Sequence, residues 1–106
     1  MSFTIHDLEA RVHQRAAEAP ENSYTRKLID KGVAHCAKKL GEEAVETALA
    51  AVGDDRDHLI AEAADLLYHL LVVLEARGVR LVEVESVLAA RTAQSGLDEK
   101  ARKSVV

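Results

Sequence analysis

The chain has one cysteine, one proline, no tryptophan and, as aromatics, only Phe3, Tyr24 and Tyr68. A single cysteine, Cys36, excludes an intramolecular disulfide and a cysteine-based zinc site. Its plain reading is a small buried thiol, with a nucleophile as the sharper alternative. So few aromatic rings exclude the stacking platform that single-stranded nucleic acid needs. No basic segment leads into an apolar run at the start. The longest apolar stretch, Leu70 to Leu74, falls far short of the roughly 20 residues that span a bilayer. A cytoplasmic protein without a membrane partner is expected. An excess of positive charge is missing as well: 14 basic residues face 18 acidic ones, for a formal net charge of -4. That balance offers no broad footprint for nucleic acid or for an anionic membrane. It leaves room for a local basic patch that grips a phosphorylated small molecule.

What is abundant is alanine, leucine, glutamate and lysine, the residues that favour helix. The 106 residues suit one domain with a modest core. We expect a single helical domain over residues 1–95 and a charged, mobile tail over 96–106. Ser2 or Thr4 can cap a first helix running to Ala19, whose apolar face comprises Ile5, Leu8, Val12, Ala16 and Ala19. Pro20 is expected to stop it and to open a polar loop, Glu21 to Thr25. A second helical region covers Thr25 to Val52, with a break at Gly32. Gly53 then stands at a C-cap position, and Asp54 or Asp55 can start a third helix to Ala76 that ends at Gly78. A fourth runs from Leu81 to Thr92. From Leu66 to Leu74 the third helix is apolar around nearly its whole circumference, so something must surround it. A second copy is the simplest partner. The fold class expected is therefore all-α: a compact bundle of four to five helices completed by homodimerisation.

The informative residues are acids. Residues three apart lie about 60° apart around a helix, so Glu43 and Glu46 share a face, as do Glu62 and Asp65 on the next helix. The short Gly53–Asp54 connection makes these helices antiparallel neighbours, and the two pairs fall at similar distances from the turn. Carboxylates converging in a partly buried space repel one another unless protonated or bridged by a cation. Oxygen-only ligation favours Mg²⁺, with Mn²⁺ as a substitute, and Mg²⁺ binds phosphate oxygens. The bland alternative is a solvated glutamate face, with Lys38–Glu42 and Lys39–Glu43 as ordinary pairs one turn apart. A di-iron bundle would want Glu-x-x-His, and neither Glu43 nor Glu62 has a histidine three residues on.

These acids and their surroundings resemble the phosphoribosyl-ATP pyrophosphohydrolase family of histidine biosynthesis, within the all-helical, MazG-like nucleoside triphosphate pyrophosphohydrolases. The resemblance lies in Ser23-Tyr24-Thr25-Arg26-Lys27-Leu28, in Lys38-Lys39-Leu40-Gly41-Glu42-Glu43-Ala44-Val45-Glu46, in Glu62-Ala63-Ala64-Asp65-Leu66-Leu67-Tyr68-His69-Leu70, and in Val84, Leu88 and Arg91. It extends over residues 5–95. It implies a dimeric helical enzyme that uses Mg²⁺ to hydrolyse 1-(5-phospho-β-D-ribosyl)-ATP to the AMP compound and pyrophosphate.

The roles follow. Glu43, Glu46, Glu62 and Asp65 are the proposed metal ligands. Glu42 either orients water as a base or faces solvent beside Lys38. Ser23, Tyr24, Thr25, Arg26, Lys27 and Lys39 are candidates for holding the phosphates. Arg91 reaches either substrate or partner. His69, four residues after Asp65, either bonds toward the acid cluster or is a satisfied core histidine. Tyr68 reads as packing, and His6, His13, His35 and His58 as surface or structural residues. The rivals are a housekeeping nucleoside triphosphate pyrophosphohydrolase and a noncatalytic helical interaction module.

Overall fold

The computed structural model describes residues 2–93; the expected tail, 96–106, lies outside them. Of the two candidate caps it is Thr4 that opens the first helix. Its hydroxyl accepts from the Asp7 amide at 3.2 Å, and the Asp7 carboxylate accepts from the Thr4 amide at 2.9 Å, a reciprocal arrangement that satisfies two otherwise orphaned donors. This helix, α1 (Ile5–Ala16), is shorter than expected. The amides of Ala17 and Glu18 fold back onto the carbonyls of Gln14 and Arg15, and Ala19 takes a ψ of 144°, the extended setting that a following proline imposes. Pro20 therefore does not stop α1. It opens a single 3-10 turn, Pro20–Asn22. The expected loop shrinks with it, because Ser23 caps α2 (Tyr24–Asp30) and places Tyr24 and Thr25 in that helix's first turn.

The expected break falls at Gly32, whose φ of 100° and ψ of 165° belong to a region essentially closed to side-chain-bearing residues. It separates α2 from α3 (Val33–Val52). Asp55 caps α4 (Arg56–Ala76), accepting from the His58 amide at 3.1 Å. After Gly78, at φ 68°, comes α5 (Leu81–Thr92). Five α-helices thus make up the described residues, an all-α bundle. Helices α3 and α4 form the long antiparallel hairpin expected from the short turn, with Thr47 of one meeting Glu62 of the other.

All five helices feed one core: Val12, Leu28, Cys36, Leu71, Val72 and Leu81. The Cys36 thiol donates to the Leu28 carbonyl at 3.2 Å, and burial pushes it above the ordinary thiol range. It is a packing residue. Polar links fasten α5 to α1: Glu9 accepts from the Leu81 amide at 2.7 Å and from Arg80 at 3.3 Å, and His6 meets Glu85 at 2.8 Å. The hydrogen bond donated by the Leu81 amide, first among several causes, holds the Glu9 carboxyl below its ordinary range.

That core occupies the end where α3 begins and α4 finishes. Toward the other end apolar side chains stand in the open: Val45, Leu49 and Val52, at 60%, 65% and 85% exposure, form one stripe on α3. Ile60, Leu67 and Leu70 of α4 and Val87 and Leu88 of α5 are exposed as well. The surplus expected for α4 is real in a single chain, and it extends to α3 and α5. No helix among the described residues is long and apolar enough to cross a membrane.

The α2–α3 junction depends on a conformation that only glycine adopts freely, although a Cβ at Gly32 would meet no atom within 4 Å. Gly32→Ala should therefore destabilise the fold by about 1–3 kcal/mol through backbone strain alone, read as a lower midpoint in chemical denaturation. An unchanged midpoint would mean that the junction relaxes to another conformation.

Candidate active site

The α3–α4 hairpin sets two acidic turns opposite each other. One hydroxyl ties them together: Thr47 Oγ1 lies 2.7 Å from the Glu43 carbonyl and 3.0 Å from the Glu62 carbonyl. Its single proton is shared between the two, one bond within α3 and one across to α4. Thr47 was not singled out in the sequence. The available signal was a threonine one turn after a candidate ligand, a spacing that lets its hydroxyl bond back to the carbonyl.

Around this link a carboxylate oxygen from each of Glu43, Glu62 and Asp65 lies within 4.8 Å of the other two. Glu43 and Glu62 are partly buried and Asp65 is exposed. Glu46 stands at the edge of this group, close to Glu62. The Oε2 atoms of Glu43 and Glu62 are buried and have no hydrogen-bond partner. That is costly for an ionised oxygen, and a hard cation is the group whose chemistry fits oxygen donors left in this state.

The crowding registers in the proton affinity of Glu62, pushed up from 4.5 to about 7. Sharing a proton with Glu46 is the first cause; burial and the Glu43 carboxylate add to it. His69 packs against the cluster, buried at 6% exposure, with its Nδ1 unpartnered. Burial pushes its imidazole below the ordinary range, opposed by the nearby Glu43 and Asp65 carboxylates. Its ring meets Tyr68 edge-on, with centroids 5.1 Å apart.

The other sequence candidates divide by what already occupies them. Ser23 is buried; its hydroxyl donates to the Arg15 carbonyl at 2.7 Å and accepts from the Arg26 amide at 3.1 Å. Thr25 is buried with its hydroxyl 2.6 Å from that of Tyr68. Arg26 donates to Asp30 at 2.9 Å and to the Glu18 carbonyl at 3.2 Å. Tyr24, between Ser23 and Thr25, is exposed. It lines a cleft with Lys27 and Lys39. Lys39 pairs with Glu42 at 3.4 Å on the rim of the acid cluster, and Glu42, chiefly through a hydrogen bond, raises the lysine's proton affinity. Glu42 is exposed and lies outside the three-acid group. Arg91 is exposed in the last turn of α5, whose polar links to the body run through α1.

Comparison with known proteins adds a lineage to this geometry. The family model described as phosphoribosyl-ATP pyrophosphohydrolase matches residues 5–92. The chain is 65% identical over 101 residues to phosphoribosyl-ATP pyrophosphatase 1 of Bradyrhizobium diazoefficiens, covering 95% of both chains. It is 66% identical over 102 residues to the phosphoribosyl-ATP pyrophosphatase of Nitrobacter winogradskyi, covering 96% of this chain and 88% of the relative. With that of Sinorhizobium medicae it shares 58% identity over 95% of this chain and 94% of the relative. A helical hairpin bearing this acid cluster, with a matching family model and relatives along almost its whole length, belongs to the phosphoribosyl-ATP pyrophosphohydrolase family.

Proposed function

We propose that the chain hydrolyses 1-(5-phospho-β-D-ribosyl)-ATP to 1-(5-phospho-β-D-ribosyl)-AMP and pyrophosphate, the second step of histidine biosynthesis, in the cytoplasm. The observation that carries the chemistry is the convergence of Glu43, Glu62 and Asp65, with two buried oxygens lacking any donor. The substrate follows from kinship with proteins named phosphoribosyl-ATP pyrophosphatase.

Glu43, Glu46, Glu62 and Asp65 hold Mg²⁺ in this reading, and Mn²⁺ suits the same oxygen donors. When bound, the ion supplies charge neutralisation at the anhydride and acidifies water. Direct attack by water is favoured, because Cys36 is buried and bonded away and the Ser23 and Thr25 hydroxyls are engaged within the fold. Glu42, exposed on the rim, takes the proton of the attacking water. Tyr24, Lys27 and Lys39 bind phosphate oxygens, while Ser23, Thr25 and Arg26 fix the turn that presents Tyr24. Arg91 belongs to the surface of α5 that meets substrate or partner.

We further propose that residues 1–95 form one domain that works as a homodimer. The support is the open apolar stripe of α3, Val45, Leu49 and Val52, with the exposed Ile60, Leu67, Val87 and Leu88. That much uncovered apolar surface is what a stable interface buries. Sedimentation should show a dimer, and Leu49→Lys should shift it toward monomer; a monomeric wild-type protein would remove this part of the reading.

The activity is tested by supplying phosphoribosyl-ATP and Mg²⁺, with ATP and deoxynucleoside triphosphates in parallel, and measuring pyrophosphate and nucleotide product. Release from phosphoribosyl-ATP should stop with EDTA and fall at least about 100-fold in Glu62→Gln, since loss of a ligand costs no less than loss of a supporting contact. Turnover of another triphosphate instead would move the chain to a housekeeping role. Inactivity on all of them, with the fold intact, would favour an interaction module.

The acid cluster also predicts a pH dependence without turnover. Glu62 binds its proton more tightly in the folded chain, about 7 against 4.5. Its contribution to stability is thus fully present below 4.5 and is lost as pH rises through about 7. In EDTA, the melting temperature of wild type relative to Glu62→Gln should fall between about pH 5 and about pH 8. Mg²⁺ at the upper pH should raise the wild type more than the variant. A pH-independent difference would mean that the carboxylates do not crowd one another as described.

A further inference from the structure

We propose that a cationic cleft between α2 and the start of α3, formed by Lys27, Lys31, His35 and Lys39, binds the monophosphate on the substrate's phosphoribosyl arm. It would thereby select this substrate over a plain nucleoside triphosphate. The inference rests on the pyrophosphohydrolase reading and assigns a task to Lys31 and His35, which that reading leaves idle.

The cleft measures about 470 Å³ and is open to solvent, with Tyr24 and Leu28 among its walls. Its construction follows from the Gly32 junction. Lys27 and Lys31 are one turn apart at the end of α2, and His35 and Lys39 are one turn apart at the start of α3. Across the break at Gly32 the two pairs line the same space. The one carboxylate in the lining, Asp30, is engaged by Arg26 at 2.9 Å. Among the described residues neither Lys27 nor Lys31 forms an ion pair. Unpaired lysines gathered around one cavity in a chain of net charge -4 are a local inversion of the protein's overall charge.

Lys39 links the cleft to the rim of the acid cluster. His35, Lys39, Glu42 and Glu46 fall on one stripe of α3, and Lys39 belongs to both ends, lining the cleft while pairing with Glu42 at 3.4 Å. Along the helix axis His35 lies about 12 Å from Glu43, and Lys39 about 6 Å, at 1.5 Å rise per residue. The proposed substrate has matching polarity: a triphosphate on one ribose, a monophosphate on the other, and a purine between them. With the anhydride at the carboxylates, the second phosphate reaches along α3 toward the cleft. A phosphate monoester carries close to two negative charges at neutral pH, and lysine ammonium groups bind it as point charges, with the His35 imidazole as a further donor. The alternative is that the same cations hold the β- or γ-phosphate of the triphosphate, which any nucleoside triphosphate would share.

The test crosses one variant with one change of substrate. Steady-state kinetics are measured for wild type and Lys31→Gln/His35→Gln on phosphoribosyl-ATP and on the analogue lacking the 5′-phosphate of the added ribose. Ribose 5-phosphate serves as a competing probe, and circular dichroism and melting confirm the fold. Each change alone should raise KM about ten- to a hundredfold, the scale of a lost charge-assisted contact, with kcat little altered. Together they should raise it no further than either does alone, and ribose 5-phosphate should inhibit wild type but not the variant. Multiplicative effects on the two substrates, or equal loss on both, would overturn the proposal while leaving the hydrolase reading intact. No pyrophosphate from phosphoribosyl-ATP with the wild-type protein would remove both. Single Lys31→Gln and His35→Gln variants give the same decision if the double variant misfolds.

Discussion

Carboxylates held closer together than water would let them settle are the constraint on which the rest of this molecule depends. Glu43, Glu62 and Asp65 converge within 4.8 Å, with Glu46 leaning in from the same helix. Left to themselves, two helices carrying these charges would slide or splay. They are tied together by the Thr47 hydroxyl, bonded to carbonyls of both acidic turns, and by the core at one end of the hairpin, where Cys36 and Val72 are the most deeply buried side chains. The proton affinity of Glu62 rises in this setting, first through its hydrogen bond with Glu46, then through burial and the neighbouring carboxylates. A folded protein carries such a cost where the same arrangement serves a ligand.

The placement of apolar mass follows from the same need. The core lies at one end of the α3–α4 hairpin, where α1, α2 and α5 pack around it. Beyond the acids, α3 presents Val45, Leu49 and Val52 to solvent. A single chain thus braces the acidic turns firmly from one side only. Covering the far end with a second copy would brace the hairpin from both sides, which connects the proposed dimer to rigidity at the site as well as to burial of apolar surface.

Helix boundaries were legible in the sequence wherever a backbone group announced itself. Asp55 and Thr4 cap helices as their side chains allow, Gly32 breaks the second region, and the α5 limits, Leu81–Thr92, match the apolar spacing. The failures cluster around Pro20. A proline marks where a helix cannot continue, but α1 had already ended at Ala16 through bonds from Ala17 and Glu18 that carry no composition signal. The short polar residues that read as a loop instead became a cap and a first turn, because Ser23 found both the Arg15 carbonyl and the Arg26 amide. Among the site residues, spacing alone put the acid pairs on facing helices. It could not foresee which three of the four acids would converge most closely, with Glu46 at the edge beside Glu62, since that depends on side-chain reach across the hairpin. Nor could it foresee the gathering of Lys31 and His35 with Lys27 and Lys39, which spans the helix break at Gly32 and which no periodicity encodes.

Under the proposed function an acidic protein would have to hold a polyanion, and the distribution of charge along α3 suits both of the opposing demands this makes. Carboxylates alone would repel the substrate; cations alone would bind phosphate and leave no place for a metal. On α3 the two kinds of charge occupy successive turns, with Lys39 paired to Glu42 at their boundary. That pair neutralises only the boundary: among the described residues Lys27 and Lys31 beyond it form no ion pair, and the buried oxygens of Glu43 and Glu62 have no partner. A ligand that brings a cation and a phosphate together satisfies both ends at once, whereas a bare metal ion or a bare phosphate satisfies one. In the proposed function, selectivity for a metal-bound, multiply phosphorylated nucleotide would follow from the order of charges on a single helix, before any contact with its base is counted.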